Sequence, residues 1–158
     1  MAFLETIPDE EASGAVADAY RADEARLGYV PNYTRVFAHR PAVYDAWQKL
    51  NGAIRGGMDL RRYELVTVAA AQRLRSSYCS LAHGKVLVDQ FLGASELQDV
   101  LLDRHAAGLA EVDVAVMDLA EKLVEDATSI TQSDIDHLRD LGLSDTDIFD
   151  VVVAAGAR

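Results

Sequence analysis

The residues of this sequence that could carry out chemistry centre on its only cysteine, Cys79, which is followed four residues later by His83. In a helix, an i, i+4 spacing places two side chains on one face, about 5–6 Å apart at Cβ. Cys79 would also lie in the first turn after Ser76 and Ser77, where unpaired N–H groups and the helix dipole favour a thiolate over a thiol. The pattern therefore predicts a reactive thiol with His83 as its proton acceptor. The residues alone leave a second interpretation open, in which Cys79 is a small, buried and unreactive residue.

Glu64 is the third candidate, because it stands directly before the apolar stretch LVTVAAA. A carboxylate in a buried helix is unfavourable unless it is paired. If this helix packs antiparallel to the helix of Cys79, Glu64 can meet His83, orient its ring and stabilise the imidazolium. Pairing of Glu64 with Arg61 or Arg73, or solvation at the start of the helix, is an equally open interpretation.

The charge and cysteine content exclude several classes of function. The chain has 26 acidic and 15 basic residues, a net charge of −11 and a pI near 4.6. Nucleic acids and anionic membranes are therefore not expected as partners, because both require clustered Lys and Arg. One cysteine cannot form an intrachain disulfide, which suits a reducing compartment, and it excludes a cysteine-rich zinc or iron–sulfur site within one chain. We expect no metal and no cofactor.

The sequence also bears on where the protein acts. No apolar run approaches the roughly 20 residues of a transmembrane helix. The N-terminal stretch MAFLETIPDEEASG lacks the basic start and apolar segment of a signal peptide. We therefore expect a cytoplasmic protein. The apolar stretch VVVAAGAR at the end of the sequence indicates that a further packing partner could follow Arg158.

The hydrophobic pattern is helical nearly throughout, without runs of period-two alternation. For example, Val43, Trp47, Leu50 and Ile54 recur at helical spacing and predict an amphipathic helix over 41–55. No repeat or linker interrupts the chain, so we predict one all-α domain over residues 1–158, a helical bundle of about eight helices. Further helices are predicted over 10–28, between Pro31 and Pro41, from Asp59 to about Arg75, over 78–92 and over 111–127. A capping box at Ser95 and Gln98 predicts a short helix that ends at about residue 104. The last two helices begin at Thr131 and Ser144, each with an aspartate three residues later.

The stretch RRYELVTVAAAQRLRSSYCSLAHGKVL resembles the signature of the alkyl hydroperoxidase D-like, carboxymuconolactone decarboxylase superfamily. That signature is a Glu, then Cys-x-x-Cys, then a His four residues after the second Cys. Glu64, Cys79 and His83 match its Glu, second Cys and His, and fourteen residues separate Glu64 from Cys79, as the motif requires. GYVPNYTRVFAHRPAVYDAW and ITQSDIDHLRDLGLSDTDI are similar to the peroxidase-related branch, so the resemblance covers the chain from about residue 5 onward.

One position departs from the family pattern, because Ser76 stands where the first Cys is expected. The resemblance implies that the second Cys is oxidised to a sulfenic acid and that the first resolves it as a disulfide. A serine hydroxyl cannot resolve an oxidised sulfur, although the relay of Glu64, His83 and Cys79 remains intact. An ordinary N-cap is the favoured interpretation of Ser76. Tyr78 is a frequent companion of the motif and a weaker candidate for a hydrogen bond to peroxide, with helix packing as its favoured role.

The leading hypothesis is a one-Cys, peroxiredoxin-like thiol peroxidase in which an external thiol reduces the oxidised Cys79. The first alternative is a decarboxylase- or isomerase-like enzyme acting on a small carboxylic acid. This chemistry needs a base and a cation that binds the carboxylate. Arg35 or Arg40, beside His39, could be that cation, although no motif spacing singles them out. The second is a non-catalytic helical oligomer that binds a small ligand or a partner. The resemblance implies a homo-oligomer, often a trimer or hexamer, with the site near a subunit contact.

Overall fold

Prolines, glycines and capping residues divide the chain into successive helices. The structure, a computed structural model, describes residues 3–158, and within that range it contains nine α-helices and no strand. The prediction of an all-α fold is therefore confirmed. The helices are α1 (Gly14–Leu27), α2 (Asn32–Phe37), α3 (Pro41–Gly57), α4 (Leu60–Arg73), α5 (Ser77–Gln90), α6 (Ala94–Asp103), α7 (Glu111–Asp126), α8 (Gln132–Asp140) and α9 (Asp145–Gly156).

Local side-chain chemistry accounts for several helix ends. Thr131 and Ser144 accept hydrogen bonds from the backbone N–H groups of Asp134 and Asp147, whose carboxylates bond back to the caps. These capping boxes satisfy N–H groups that have no partner within the helix. At the C-terminal end of α1, Gly28 takes a left-handed conformation with φ of 80°. The predicted starts of α8 and α9 are thus confirmed.

Two predicted helix starts are wrong. The capping box predicted at Ser95 and Gln98 does not form, because α6 begins after Gly93, whose N–H donates to the Glu96 carboxylate at 3.3 Å. Glu96 lies three residues after the cap, so its side chain can reach back to the cap N–H. The first helix begins at Gly14 rather than near residue 10, because Asp9–Glu11 forms a separate 3-10 turn.

The chain divides into two compact units, one ending at Gly52 and one beginning at Ala53. The prediction of a single domain over residues 1–158 stays a prediction. In the first unit, the buried carboxylate of Asp23 accepts hydrogen bonds from Thr34 Oγ1 and Tyr44 Oη, each at 2.6 Å, and pairs with Arg26. Burial alone would raise the pKa of Asp23, but these hydrogen bonds outweigh it and leave that pKa below its usual range.

The core of the second unit is built around α4, which packs against α5, α7 and α9. Every residue of α4 from Tyr63 to Ala71 is buried. This confirms that the apolar stretch LVTVAAA forms a helix enclosed on all sides. The small side chains Ala69, Ala70 and Ala71 allow neighbouring helices to approach α4 closely. Because α4 is enclosed, its residue Glu64 lies inside the core.

Across residues 3–158, none of the helices is both long enough and apolar enough to cross a membrane.

Candidate active site

Glu64 and Cys79 lie on consecutive helices, α4 and α5, which are joined by a short turn. The turn is closed by backbone hydrogen bonds, among them one of 2.9 Å from the N–H of Ser76 to the carbonyl of Ala71. The two helices then pack against each other. The chain therefore reverses direction at Ser76, and residues on facing sides of α4 and α5 can meet.

The structure brings Glu64 and His83 into direct contact across this hairpin. His83 Nδ1 lies 2.5 Å from Glu64 Oε2. Glu64 is only 1% exposed, whereas 21% of the His83 side chain is exposed. Because an ionised carboxylate can only accept, Nδ1 carries the hydrogen of this bond and Nε2 remains to exchange a proton. The contact that the sequence predicted between these residues is thus present, and it compensates the burial of a charge.

Two further residues adjoin this pair, and a third contacts one of them. Arg55, at the end of α3, lies 3.9 Å from Glu64 Oε1, and its side chain is 51% exposed. The ring of Tyr63 meets the ring of His83 edge-on at 6.1 Å, and Arg158 donates to the Tyr63 hydroxyl at 2.6 Å. Sequence reasoning missed all three. Tyr63 lies in a helix that is buried on every side, where periodicity singles out no position, and the two arginines approach only through tertiary packing.

Cys79 is half-buried and forms no disulfide. It is the third residue of α5, so it lies in the first turn of the helix, as predicted. The helical backbone from Cys79 to His83 places both side chains on one face of α5. The three residues of the predicted relay therefore lie on two adjoining helices, and Glu64 is the most deeply buried of them.

Ser76 occupies the N-cap position of α5, but its hydroxyl makes no capping hydrogen bond. Its backbone explains this, because its ψ is 92°, whereas the side-chain caps Thr131 and Ser144 have ψ of 165° and 166°. Tyr78 is exposed at the start of α5. The favoured role of Tyr78, packing against a neighbouring helix, stays a prediction.

The alternative partners proposed for Glu64 bind other carboxylates. Arg61 pairs with Asp113, and Arg73 pairs with Glu125. Both carboxylates belong to α7, which packs against α4. The interpretation that Arg61 or Arg73 compensates Glu64 is therefore wrong, because α7 supplies those arginines with partners.

The residues proposed for binding a carboxylic acid lie in the first unit. Arg35 is held by a two-pronged ion pair with Asp9, the second contact being 3.0 Å. His39 Nε2 lies 2.7 Å from the carbonyl oxygen of Glu5. Arg40 is exposed. Arg35 and His39 are thus engaged in contacts within the first unit.

The part of the chain that the structure describes contains no group of three or more His, Cys, Asp or Glu side chains placed to hold a metal ion.

The chain is thus an all-α protein whose helical hairpin carries a buried carboxylate–histidine pair and a first-turn cysteine. The carboxymuconolactone decarboxylase family matches residues 41–122, a range that includes all three residues of the relay, and the chain belongs to this family.

Two solved structures have similar folds. A peroxidase-related protein of Ralstonia eutropha JMP134, described as an alkylhydroperoxidase AhpD core, has a TM-score of 0.84 and 22% identity, over 97% of this chain and 83% of that one. A peroxidase-related protein of Silicibacter sp. TM1040 has a TM-score of 0.79 and 21% identity, over 97% and 79%. At this identity the two similarities establish the fold alone. No curated protein matches the sequence.

Proposed function

We propose that the chain is a one-Cys thiol peroxidase, with Cys79 as nucleophile, His83 as general base and Glu64 as the residue that positions His83. The observation that carries the proposal is the buried 2.5 Å contact between Glu64 and His83 Nδ1. With Nδ1 engaged, Nε2 is the ring nitrogen left for proton transfer, and Cys79 precedes His83 by about one turn of the same helix. The descriptions of the similar structures as peroxidase-related support this class of reaction.

The first half of the reaction oxidises Cys79. Its thiol proton passes to His83 Nε2, and Glu64 stabilises the resulting imidazolium. The thiolate attacks the terminal oxygen of a hydroperoxide, so that an S–O bond forms as the O–O bond breaks. The leaving alkoxide takes the proton from His83 and departs as an alcohol. Cys79 is thereby oxidised by two electrons to a sulfenic acid, and the hydroperoxide is reduced.

The second half of the reaction requires a thiol from outside the chain. Ser76 cannot form a disulfide with the oxidised Cys79, and the sequence contains no second cysteine. An external thiol therefore attacks the sulfenic sulfur and releases water, which leaves a mixed disulfide. A second thiol then restores Cys79 and departs as the oxidised disulfide.

Intact-mass analysis after one equivalent of cumene hydroperoxide tests the proposal. We expect the wild type to gain one oxygen atom and, with dimedone present, to form the sulfenic acid adduct instead. Cys79→Ser should gain neither, and His83→Ala should react more slowly. His105→Ala, which removes an exposed histidine outside the hairpin, is the matched control. A wild type that remains unoxidised, or that reacts no faster than His83→Ala, would contradict the proposal.

A decarboxylase- or isomerase-like reaction on a small carboxylic acid is the second candidate. The name of the family supports it. So does Arg55, a half-exposed cation 3.9 Å from Glu64 that could bind a substrate carboxylate. This chemistry uses His83 as a base and does not need a thiol. Full activity of Cys79→Ser on a lactone or carboxylic acid substrate would therefore favour it over peroxide reduction.

We infer that the enzyme works in the cytoplasm as a homo-oligomer with its site near a subunit contact. Tyr78 and Leu81 flank Cys79 and are exposed, Leu81 by 76%. A contact with a second copy would remove these apolar surfaces from water. Light scattering of the wild type and of Leu81→Asp tests this inference: we expect a trimer or hexamer that the substitution dissociates, and a monomeric wild type would overturn it.

A further inference from the structure

A cavity of about 360 Å³ lies in the second unit, and neither Glu64 nor His83 lines it. Its volume is within the roughly 300–1,000 Å³ typical of sites for small molecules. None of its lining residues belongs to the relay. The lining comes from the end of α4, the end of α6 and one residue of α7, and its polar members are Gln72, Arg73, Arg75, Asp103, Arg104, His105 and Glu121.

Arg75 lines this cavity in a backbone conformation that disfavours any side chain. Its φ is 55°, and it is the only residue other than glycine with a positive φ between residues 3 and 158. The N–H of Arg75 bonds to the Gln72 carbonyl at 3.0 Å, and that of Ser76 to the Ala71 carbonyl at 2.9 Å. These two bonds form a Schellman motif with Arg75 at the left-handed position, where glycine is preferred.

The same motif at the end of α8 uses the preferred residue. There the N–H of Gly142 bonds to the Arg139 carbonyl at 2.8 Å, that of Leu143 bonds to the Leu138 carbonyl at 3.1 Å, and the left-handed position is Gly142 with φ of 93°. An arginine in the equivalent position of α4 is therefore not required by the turn. A strained residue of this kind suggests a role for its side chain.

Charge distinguishes Arg75 from the other arginines of the cavity. Arg73 pairs with Glu125, and Arg104 pairs with Asp118 and Glu121. Arg75 is exposed and has no ion pair with any described residue. Its five N–H donors and its charge are thus available to a ligand in the cavity.

We propose that this cavity binds a small oxyanion, the carboxylate or phosphate group of a metabolite, with Arg75 as its main ligand. Of the three guanidinium groups of the lining, Arg73 and Arg104 already pair with carboxylates, so Arg75 supplies the unpaired positive charge. The planar guanidinium of Arg75 matches two oxygen atoms of a carboxylate or phosphate. The site does not depend on the peroxidase chemistry proposed above.

NMR titration of the whole protein with inorganic phosphate and with malonate tests the site, against sodium chloride at equal ionic strength. We expect saturable shifts at the Arg75 Nε–H and at neighbouring amides, and binding of only one anion would identify the class. Arg75→Gln should weaken the affinity about tenfold or more, since charge-assisted hydrogen bonds are lost. Arg40→Gln, which removes another exposed arginine, is the matched control and should bind as the wild type does.

Arg75→Gly tests whether weaker anion binding results from loss of the guanidinium or from loss of folding. It should lose anion binding and yet unfold at a higher temperature than the wild type, because glycine relieves the left-handed strain. The proposal is overturned if neither anion binds saturably, if Arg75→Gln and Arg40→Gln weaken binding equally, or if Arg75→Gly binds as the wild type does.

Discussion

At the scale of single residues, the main feature is a carboxylate that the core almost completely encloses. Glu64 is 1% exposed and contacts His83 at 2.5 Å, whereas Arg55 remains 3.9 Å away and half in solvent. The Arg55 guanidinium thus adds a positive charge near Glu64 that does not depend on the protonation of His83. In the proposed mechanism, Glu64 acts on Cys79 only through His83.

We predict that His83→Ala slows alkylation of Cys79 by iodoacetamide at neutral pH by about tenfold or more, because the proton acceptor on its helix face is lost. Glu64→Gln should slow it less, since the amide can still hold the ring. Rate constants measured as a function of pH for the wild type and both variants give the result, with His105→Ala as control. Equal rates for the wild type and His83→Ala would mean that Cys79 reacts without its neighbour.

Ser76→Cys should restore an intrachain disulfide. Residues at i and i+3 of a helix start can approach within the roughly 4.4–6.8 Å Cα range that a disulfide needs. After diamide treatment we expect the variant to lose two hydrogens and its reactive thiols. Ser77→Cys, at i+2 from Cys79, is the matched control, because residues two apart on a helix do not face each other. Absence of the bond in Ser76→Cys would show that Ser76 does not occupy the position of the first cysteine.

At the scale of helices, the sequence predicted best where the determinant is local. The capped starts at Thr131 and Ser144 follow from hydrogen bonds within one turn, and the buried α4 follows from an apolar stretch without a polar face. The predicted start of α6 was wrong. Ser95 and Gln98 match the sequence pattern of a capping box, but the helix begins earlier, after Gly93, and the Glu96 carboxylate accepts the hydrogen bond from the cap N–H.

The candidate site, like the helices, was predictable only where local spacing along the chain determines it. Family spacing singled out Glu64, Cys79 and His83, and helical periodicity placed the last two on one face. The contacts of Arg55 and Tyr63 depend on how separate helices pack, which no spacing along the chain encodes. The same reason explains why α7 carboxylates, and not Glu64, bind the arginines of α4.

One carboxylate connects three helices of the first unit: Asp23 on α1 accepts from Thr34 on α2 and Tyr44 on α3. Tyr44→Phe should lower the free energy of unfolding at neutral pH by about 1.5–3 kcal/mol, as is typical for a hydrogen bond to a charged group. Urea unfolding of the variant measures this, with exposed Tyr29→Phe as a control expected to be neutral.

The same variant has a predictable dependence on pH. Hydrogen bonding lowers the folded-state pKa of Asp23 despite burial, which acts in the opposite direction. The stability contributed by Asp23 is therefore fully present above its unfolded-state pKa, about 3.9, and is lost as the pH falls through the lower folded value. The difference between wild type and Tyr44→Phe should shrink over that acid range. A difference that stays constant would mean that ionised Asp23 is not the group concerned.

At the scale of the whole molecule, a net charge of −11 should affect which hydroperoxides react at Cys79 if the proposed function is right. A neutral substrate such as cumene hydroperoxide should oxidise Cys79 at a rate that hardly depends on salt. The carboxylate-bearing hydroperoxide of linoleic acid, used below its micellar concentration, should react more slowly at low ionic strength and accelerate several-fold as salt screens the repulsion. Stopped-flow rates at low and high salt measure this, and an identical salt response of both substrates would contradict it.

The single thiol of Cys79, three residues beyond Ser76, has a kinetic consequence. Each chain stores one two-electron oxidation at one sulfur atom and cannot pass it to another site of its own. The reducing half of the proposed cycle is therefore bimolecular, and its rate is proportional to the concentration of the external thiol whenever that thiol is scarce. The oxidised fraction at steady state then equals the pseudo-first-order rate of oxidation divided by the sum of the pseudo-first-order rates of oxidation and reduction, so the fraction of oxidised protein reports the balance between peroxide and reductant.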